Sequence, residues 1–299
     1  MNISGSRAIF LLSLLALFAV ATLAKPTTLP IEDKISTQEL LTKHLKSIGT
    51  PEARESVKSI MAVGESKAVF TGRGTGSTEG IVVVASQGKR NMIGMKFRNP
   101  DHQFDTMGYD GNNFSVGFAK PGTHSVLGGF LRVNEKTFKK GILGGVLSTS
   151  WELLNYDTKI GKLKYKGTSK DDGKTLFKFD YNLRSGSDLE VMMYFDSETF
   201  QHVKTIYTRV ISSGLGRTSG GNQSASRVDN SAQQSETRHK FTETFSDFRV
   251  ENGLTLPHTY EMFLEIQTGN GTTKDHYTMQ FTQFVFNQEM ADSQFQMGV

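Results

Sequence analysis

The sequence predicts a mainly β fold with helices (α+β): one antiparallel sheet of about eleven strands, strongly curled into a barrel or half-barrel. Three observations predict it. Apolar residues alternate with polar ones through most of the chain, the spacing of strands that bury one face. The breaks between these runs are short and carry turn residues, which pairs neighbours as antiparallel hairpins. No alternation of strand and helix units is visible, so a parallel sheet is not expected.

The clearest run is Lys174 to Val210. Phe177, Phe179, Tyr181 and Leu183 alternate with Lys178, Asp180 and Asn182. After Arg184 to Asp188, the residues Leu189, Val191, Met193 and Phe195 repeat the pattern, and Val203 to Val210 continues it. Upstream, Met61–Phe70, Gly80–Gln87, Asn91–Phe97, Phe104–Tyr109 and Phe114–Phe118 read as strands, the last two flanking an Asp110-Gly111 turn. Ile160–Gly167 leads to Asp172-Gly173, another hairpin signal. Near the end come Phe241–Val250, Thr255–Ile266 and Asp275–Phe286, with Asn252-Gly253 and Asn270-Gly271 between them. Tyr260, Met262, Leu264 and Ile266 share one face, and Tyr277, Met279 and Phe281 another. Both faces are expected to look into the same interior.

Residues 1–24 read as a secretory signal peptide. Arg7 gives a positive start, Ile9 to Leu23 is uncharged and mostly apolar, and Ala21 to Ala24 offers small residues for cleavage. The stretch is short for a transmembrane anchor, which needs about 20 apolar residues. Residues 25–299 then form a single exported domain. A mobile loop is expected at 212–239, where Ser, Gly, Asn, Gln and Arg dominate and too little is apolar to order the segment. Too few strands follow it to build a separate core.

Two helices precede the sheet. Ser36 and Glu39 form a capping box, Ile35 and Leu40 a hydrophobic staple, and Leu41, Leu45 and Ile48 continue the apolar stripe to Gly49. Thr50-Pro51 opens a second short helix reaching about Ser56. The stretch His124 to Trp151 has helical spacing but is interrupted by Gly128-Gly129, Gly141 and Gly144-Gly145. Each interior glycine costs a helix about 1 kcal/mol relative to alanine. Short helical pieces follow, either as an ordinary crossover packed on the sheet or as a mobile apolar lid over a pocket.

The chain has no cysteine, hence no disulfide, no thiolate nucleophile and no lipid-modified cysteine to tether it. A net charge of +4 without a long basic run argues against nucleic acid. Lys159, Lys162, Lys164, Lys166, Lys170 and Lys174 cluster. They suit solvated strand faces, or else an anionic partner or membrane surface. The seven histidines have no ligand-like spacing, so no metal is assigned. No G-x-S-x-G elbow or G-x-G-x-x-G loop occurs, and Gly173-Lys174-Thr175 is followed by a strand where a phosphate loop needs a helix. No catalytic residue and no cofactor is assigned. A buried carboxylate with a raised titration point would revive an enzyme reading. What remains is apolar bulk, with 21 Phe and 11 Met but one Trp. Those side chains fill a core or, equally in chemical kind, line an adaptable pocket for a lipid tail.

Three segments carry a family resemblance: ELLTKHLKSIG-TPEARESVKSI after the signal, GILGGVLSTSW in the middle, and ETFSDFRVENGLTLPHTYEMF near the end. Together they resemble bacterial outer-membrane lipoprotein-sorting proteins of the LolA/LolB type, in a divergent form. The likeness spans nearly the whole mature chain. It implies an unclosed β-barrel whose mouth is plugged by a helical lid, and a periplasmic, non-enzymatic carrier of lipids or lipoprotein acyl chains. The alternative is an envelope protein-interaction or lipid-sensing module without a transport role. Expected partners are a lipid or acylated lipoprotein, and envelope membrane proteins. The ligand is expected against Phe177, Phe179, Tyr181, Val191, Met193, Tyr260, Met262, Met279 and Phe281. Leu127, Phe130, Leu131, Leu143, Leu147 and Trp151 are expected to cover it. Arg132 is the candidate for the arginine that closes the lid in the family's periplasmic carrier. Opening on the glycine pairs predicts that Gly144→Val slows ligand exchange.

Overall fold

The computed structural model of the chain describes residues 34–72, 75–211 and 236–298. The expected signal peptide, residues 1–24, and residues 212–235 of the expected loop lie outside these.

Twelve strands, one more than expected, are formed among the described residues. They are β1 (Ser59–Thr71), β2 (Gly76–Gln87), β3 (Arg90–Asn99), β4 (His102–Tyr109), β5 (Phe114–Val116) and β6 (Gly161–Asp171). β7 (Lys174–Leu183), β8 (Glu190–Asp196), β9 (His202–Ile211), β10 (Thr237–Glu251), β11 (Leu254–Thr268) and β12 (Gly271–Phe286) follow. They make one antiparallel sheet in the order β5-β4-β3-β2-β1-β12-β11-β10-β9-β8-β7-β6. The sheet is open, with β5 and β6 as its two edges. Inward side chains from β1 through β12 nevertheless belong to one apolar cluster. Phe138 touches Phe114 of β5 as well as Tyr207 of β9 and Phe241 of β10, strands that a flat sheet at about 4.8 Å per strand would hold far apart, so the sheet is curled, an unclosed barrel.

The alternation places these faces. In β11 and β12, Tyr260 stands opposite Met279 and Met262 opposite Tyr277, all four fully buried. In β7 and β8, Phe179 stands opposite Met193. Asp172 and Gly173 both take positive φ, 44° and 78°, which makes the β6–β7 connection a tight hairpin and no phosphate loop. Lys162, Lys164 and Lys166 are exposed on the edge strand β6, where charge discourages pairing with another sheet. The expected loop is shorter at its end than the composition suggested. Thr237 to His239 belong to β10 and pair with Ile211 to Arg209. Ladder hydrogen bonds, which need no apolar side chain, hold them.

Helix α1 (Thr37–Ile48) starts where the capping box placed it, the Ser36 side chain accepting from the Glu39 N–H at 3.1 Å. Leu40, Leu41 and Ile48 are buried beneath it. Helix α2 (Pro51–Ser56) is capped by Thr50. The connection between the edge strands carries helices α3 (Val126–Val133) and α4 (Glu135–Phe138), then 3-10 turns at Gly145–Leu147 and Glu152–Asn155. It joins one edge of the sheet to the other, with its apolar side chains in the same cluster as the inward side chains of the strands. The fold thus gives the crossover the position of a lid.

Candidate functional site

The inward face is an apolar wall. Phe177, Phe179, Tyr181, Val191 and Met193 come from β7 and β8, and Tyr260, Met262, Met279 and Phe281 from β11 and β12; all are buried. The sheet order separates the two groups by β9 and β10, whose inward residues the sequence reading did not single out. These are Tyr207, Phe241, Glu243 and Phe245, all buried. Tyr207 and Phe241 make ring contacts to the lid, and Phe245 joins the groups. Phe245 stacks on Tyr260 with ring centroids 4.9 Å apart, and Tyr207 stacks on Phe241 at 5.4 Å.

The lid side chains lie on this wall. Leu127, Phe130, Leu131, Leu143, Leu147 and Trp151 are all buried in the same cluster as the wall residues. Phe130 meets Phe241 at 5.6 Å between centroids, and Phe138 meets Tyr207 at 5.3 Å. Phe179, Met193, Tyr260, Met262 and Met279 expose no surface at all. A space able to hold water beside them would register as exposure, so the wall is packed solid at these positions. The sequence left open whether wall and lid enclose room for a tail. In this closed form the lid itself takes that room.

Trp151 is the lid's anchor to the first helix. Its indole N–H donates to His44 Nε2 at 3.1 Å, while His44 Nδ1 donates to the Phe200 carbonyl at 3.0 Å. Both ring nitrogens are used by the neutral imidazole. Burial holds His44 down at about 4, against an ordinary 6.5. His202 stacks on the other side of Trp151 at 4.8 Å and shares a hydrogen bond with Thr205. Burial, then the neighbouring His44, keeps it well below 6.5.

A second attachment is a carboxylate inside the apolar wall. Glu243 is fully buried. It accepts the Gly144 backbone N–H at 2.8 Å and the Tyr260 hydroxyl at 2.5 Å on Oε1, and the Tyr207 hydroxyl at 2.5 Å on Oε2. Burial lifts its carboxyl to about 7; the three donors pull the other way. The clasp needs an unusual backbone in the lid. Gly144 sits at φ 78° and Gly145 at φ 50°. A Cβ on Gly145 would approach the Phe245 ring and His202 Nδ1 to 3.1 Å. The lid therefore touches down where only glycine fits. Arg132 is exposed, so the lid-closing arginine the resemblance implied is not found there. Glu243 holds the lid instead. Its signal was readable as one acidic residue in the inward row Phe241, Glu243, Phe245.

Two further carboxyls are raised by burial: Glu152, next to Trp151, to about 7, and Asp275, on β12, to about 6. Glu243 is sealed beneath the lid and reaches no solvent, so it meets no substrate in the closed form. Beside the lid, a cleft of about 280 Å³ has Ile48, Val57, Ile60, Val146 and Leu254 among its lining residues. Among the described residues no helix is long and apolar enough to cross a membrane.

No family model matches the sequence, and neither does any curated protein. Solved structures do resemble the fold. A LolA superfamily protein from Nitrosomonas europaea is 10% identical, covering 88% of this chain and 98% of its own, at a TM-score of 0.44. An outer membrane lipoprotein-sorting protein domain from Vibrio parahaemolyticus is 10% identical, covering 85% and 97%, at 0.41. A DUF1329 family protein from Desulfovibrio piger is 6% identical, covering 87% and 96%, at 0.38.

Proposed function

We propose that this chain binds the acyl tail of a lipid or of an acylated lipoprotein in the bacterial periplasm, without catalysis, by exchanging its own lid for the ligand. One observation carries the reading. Nine lid side chains between Leu127 and Trp151 form a single buried apolar cluster with the wall, and the lid that carries them is built of short irregular pieces. Non-directional apolar contacts can be traded for others of equal area.

The magnitudes allow the trade only for long tails. Uncovering all nine would cost roughly 14–27 kcal/mol at about 1.5–3 kcal/mol each, so a tail displaces only part of the lid. A tail of about sixteen carbons returns roughly 12 kcal/mol at about 0.8 kcal/mol per CH₂, and a tail of about eight carbons only half that. The signal-like residues 1–24 and the absence of cysteine support export of an untethered chain.

The test is native mass spectrometry of the purified chain with hexadecanoate and octanoate, read alongside Trp151 emission. Hexadecanoate should add its mass and red-shift the single tryptophan as the lid leaves. Octanoate should do neither. An apo mass that takes up no long-chain acid at all defeats the carrier reading and favours a protein-interaction module.

A further inference from the structure

A second cleft, of about 390 Å³, lies at one end of the inward face, where β1, β4 and β12 meet the start of α3. Along β12 the inward row runs Phe281, Met279, Tyr277 and then Asp275, so the apolar wall ends in a carboxylate. Asp275 is only 4% exposed and lines the cleft. It receives no side-chain hydrogen bond or ion pair from any described residue. Asp105, also buried, lies close enough to act on it electrostatically, but is itself engaged by His102 Nε2. Lys120 lies at the rim with its ammonium 3.9 Å from Asp101. The Phe70 ring, 4.7 Å from the His102 ring, gives the cleft an aromatic side.

We propose that this cleft binds a primary alkylammonium group, with Asp275 as its acceptor and counter-charge. A buried carboxylate without a donor is costly, and an N–H donor carrying a positive charge removes that cost most fully. The aromatic and apolar sides suit the attached carbons and the cation together. A metal ion suits the cleft poorly. Among the described residues no three His, Asp or Glu side chains stand close enough to hold one. A quaternary ammonium has no N–H to give. Burial and then the charge of Asp105 raise the Asp275 carboxyl to about 6, with His102 pulling the other way. The same chemistry arrives as a free amine or as an ethanolamine headgroup. The cleft is open while the lid is closed, so this site does not depend on lid opening.

Isothermal titration calorimetry on the full chain tests it, with n-butylammonium, n-butanol, tetramethylammonium and calcium as probes. Butylammonium should bind at least about tenfold tighter than butanol or tetramethylammonium. Asp275→Asn should weaken butylammonium by about tenfold or more while melting no lower than the parent. Dihexanoyl-phosphatidylethanolamine binding more tightly than butylammonium, and more tightly than its phosphatidylcholine counterpart, assigns the source to a lipid headgroup. Butylammonium alone assigns it to a free amine. Equal binding of butanol, equal binding by Asp275→Asn, preferential calcium binding, or no heat with butylammonium each overturns the proposal.

Discussion

Glu243 and Asp275 invite comparison. Both are acidic residues in the inward rows of long strands, β10 and β12, that flank β11; both are buried, and burial raises the carboxyl of each. Glu243 collects three donors from three different segments, one of them the lid. Asp275 collects no side-chain donor and feels a second carboxylate, Asp105, with His102 as the opposing charge. The same residue class in the same kind of row therefore does two things. Where donors converge, the carboxylate holds the molecule shut. Where they do not, it is left with acceptor capacity for something from outside.

The largest test of that contrast is truncation. Glu243→Leu strands the Tyr260 hydroxyl and the Gly144 N–H in an apolar interior and leaves the Tyr207 hydroxyl only the Ile142 carbonyl at 3.4 Å; each unpaired group costs about 1–3 kcal/mol. Urea unfolding should show a loss of at least about 3 kcal/mol. Asp275→Asn relieves repulsion and should be neutral or stabilising in the same assay. Similar losses for both variants would erase the distinction.

A smaller effect is the pH dependence of closure. Closed, Glu243 keeps its proton up to about pH 7. Opened to water, it gives the proton up near an ordinary carboxylate value of about 4.3. Between those values the closed form holds the extra proton, so closure weakens as pH rises through that window and levels off above it. His44 and His202 act in the opposite sense. Buried and neutral, they weaken closure as pH falls below 6.5, His44 down to about 4. Glu243→Gln removes only the first contribution. Two histidines outweigh one carboxyl below pH 6.5, so acrylamide quenching of Trp151 should fall from pH 5 to 7, more steeply in that variant than in the parent, and the acid-side rise should persist. Identical profiles would show that Glu243 does not titrate with the lid.

The smallest effect belongs to Gly144. The sequence alone suggests that Gly144→Val stiffens a hinge and slows exchange. At φ 78° a side chain instead strains the closed lid, by about 1–2 kcal/mol. Exchange of a fluorescent fatty acid should therefore speed up several-fold, and slowing would return the hinge to the sequence-based reading.

Much of this architecture could be read along the chain. The wall residues Phe179, Met193, Tyr260 and Met279 follow from alternation, because side-chain direction in a strand is set by position alone. The capping of α1 by Ser36 is equally local. Reading stopped at β9 and β10. Tyr207, Phe241 and Phe245 have the same periodicity as the chosen residues, and nothing local says that these strands sit at the middle of the wall under the lid. Arg132 rests on the family resemblance alone, and a surface arginine has no local mark to separate it from one that closes a lid.

By itself the sequence determined which segments are strands, where they turn, and that one face of the sheet is greasy, since these depend on neighbours a few residues away. Only the tertiary structure decided that the lid fills that face, and which carboxylate is satisfied. Gly144 meets Glu243 across 99 residues, and Trp151 meets His44 across 107. Whether a buried charge finds its donors depends on contacts brought together by folding, and no periodicity records them.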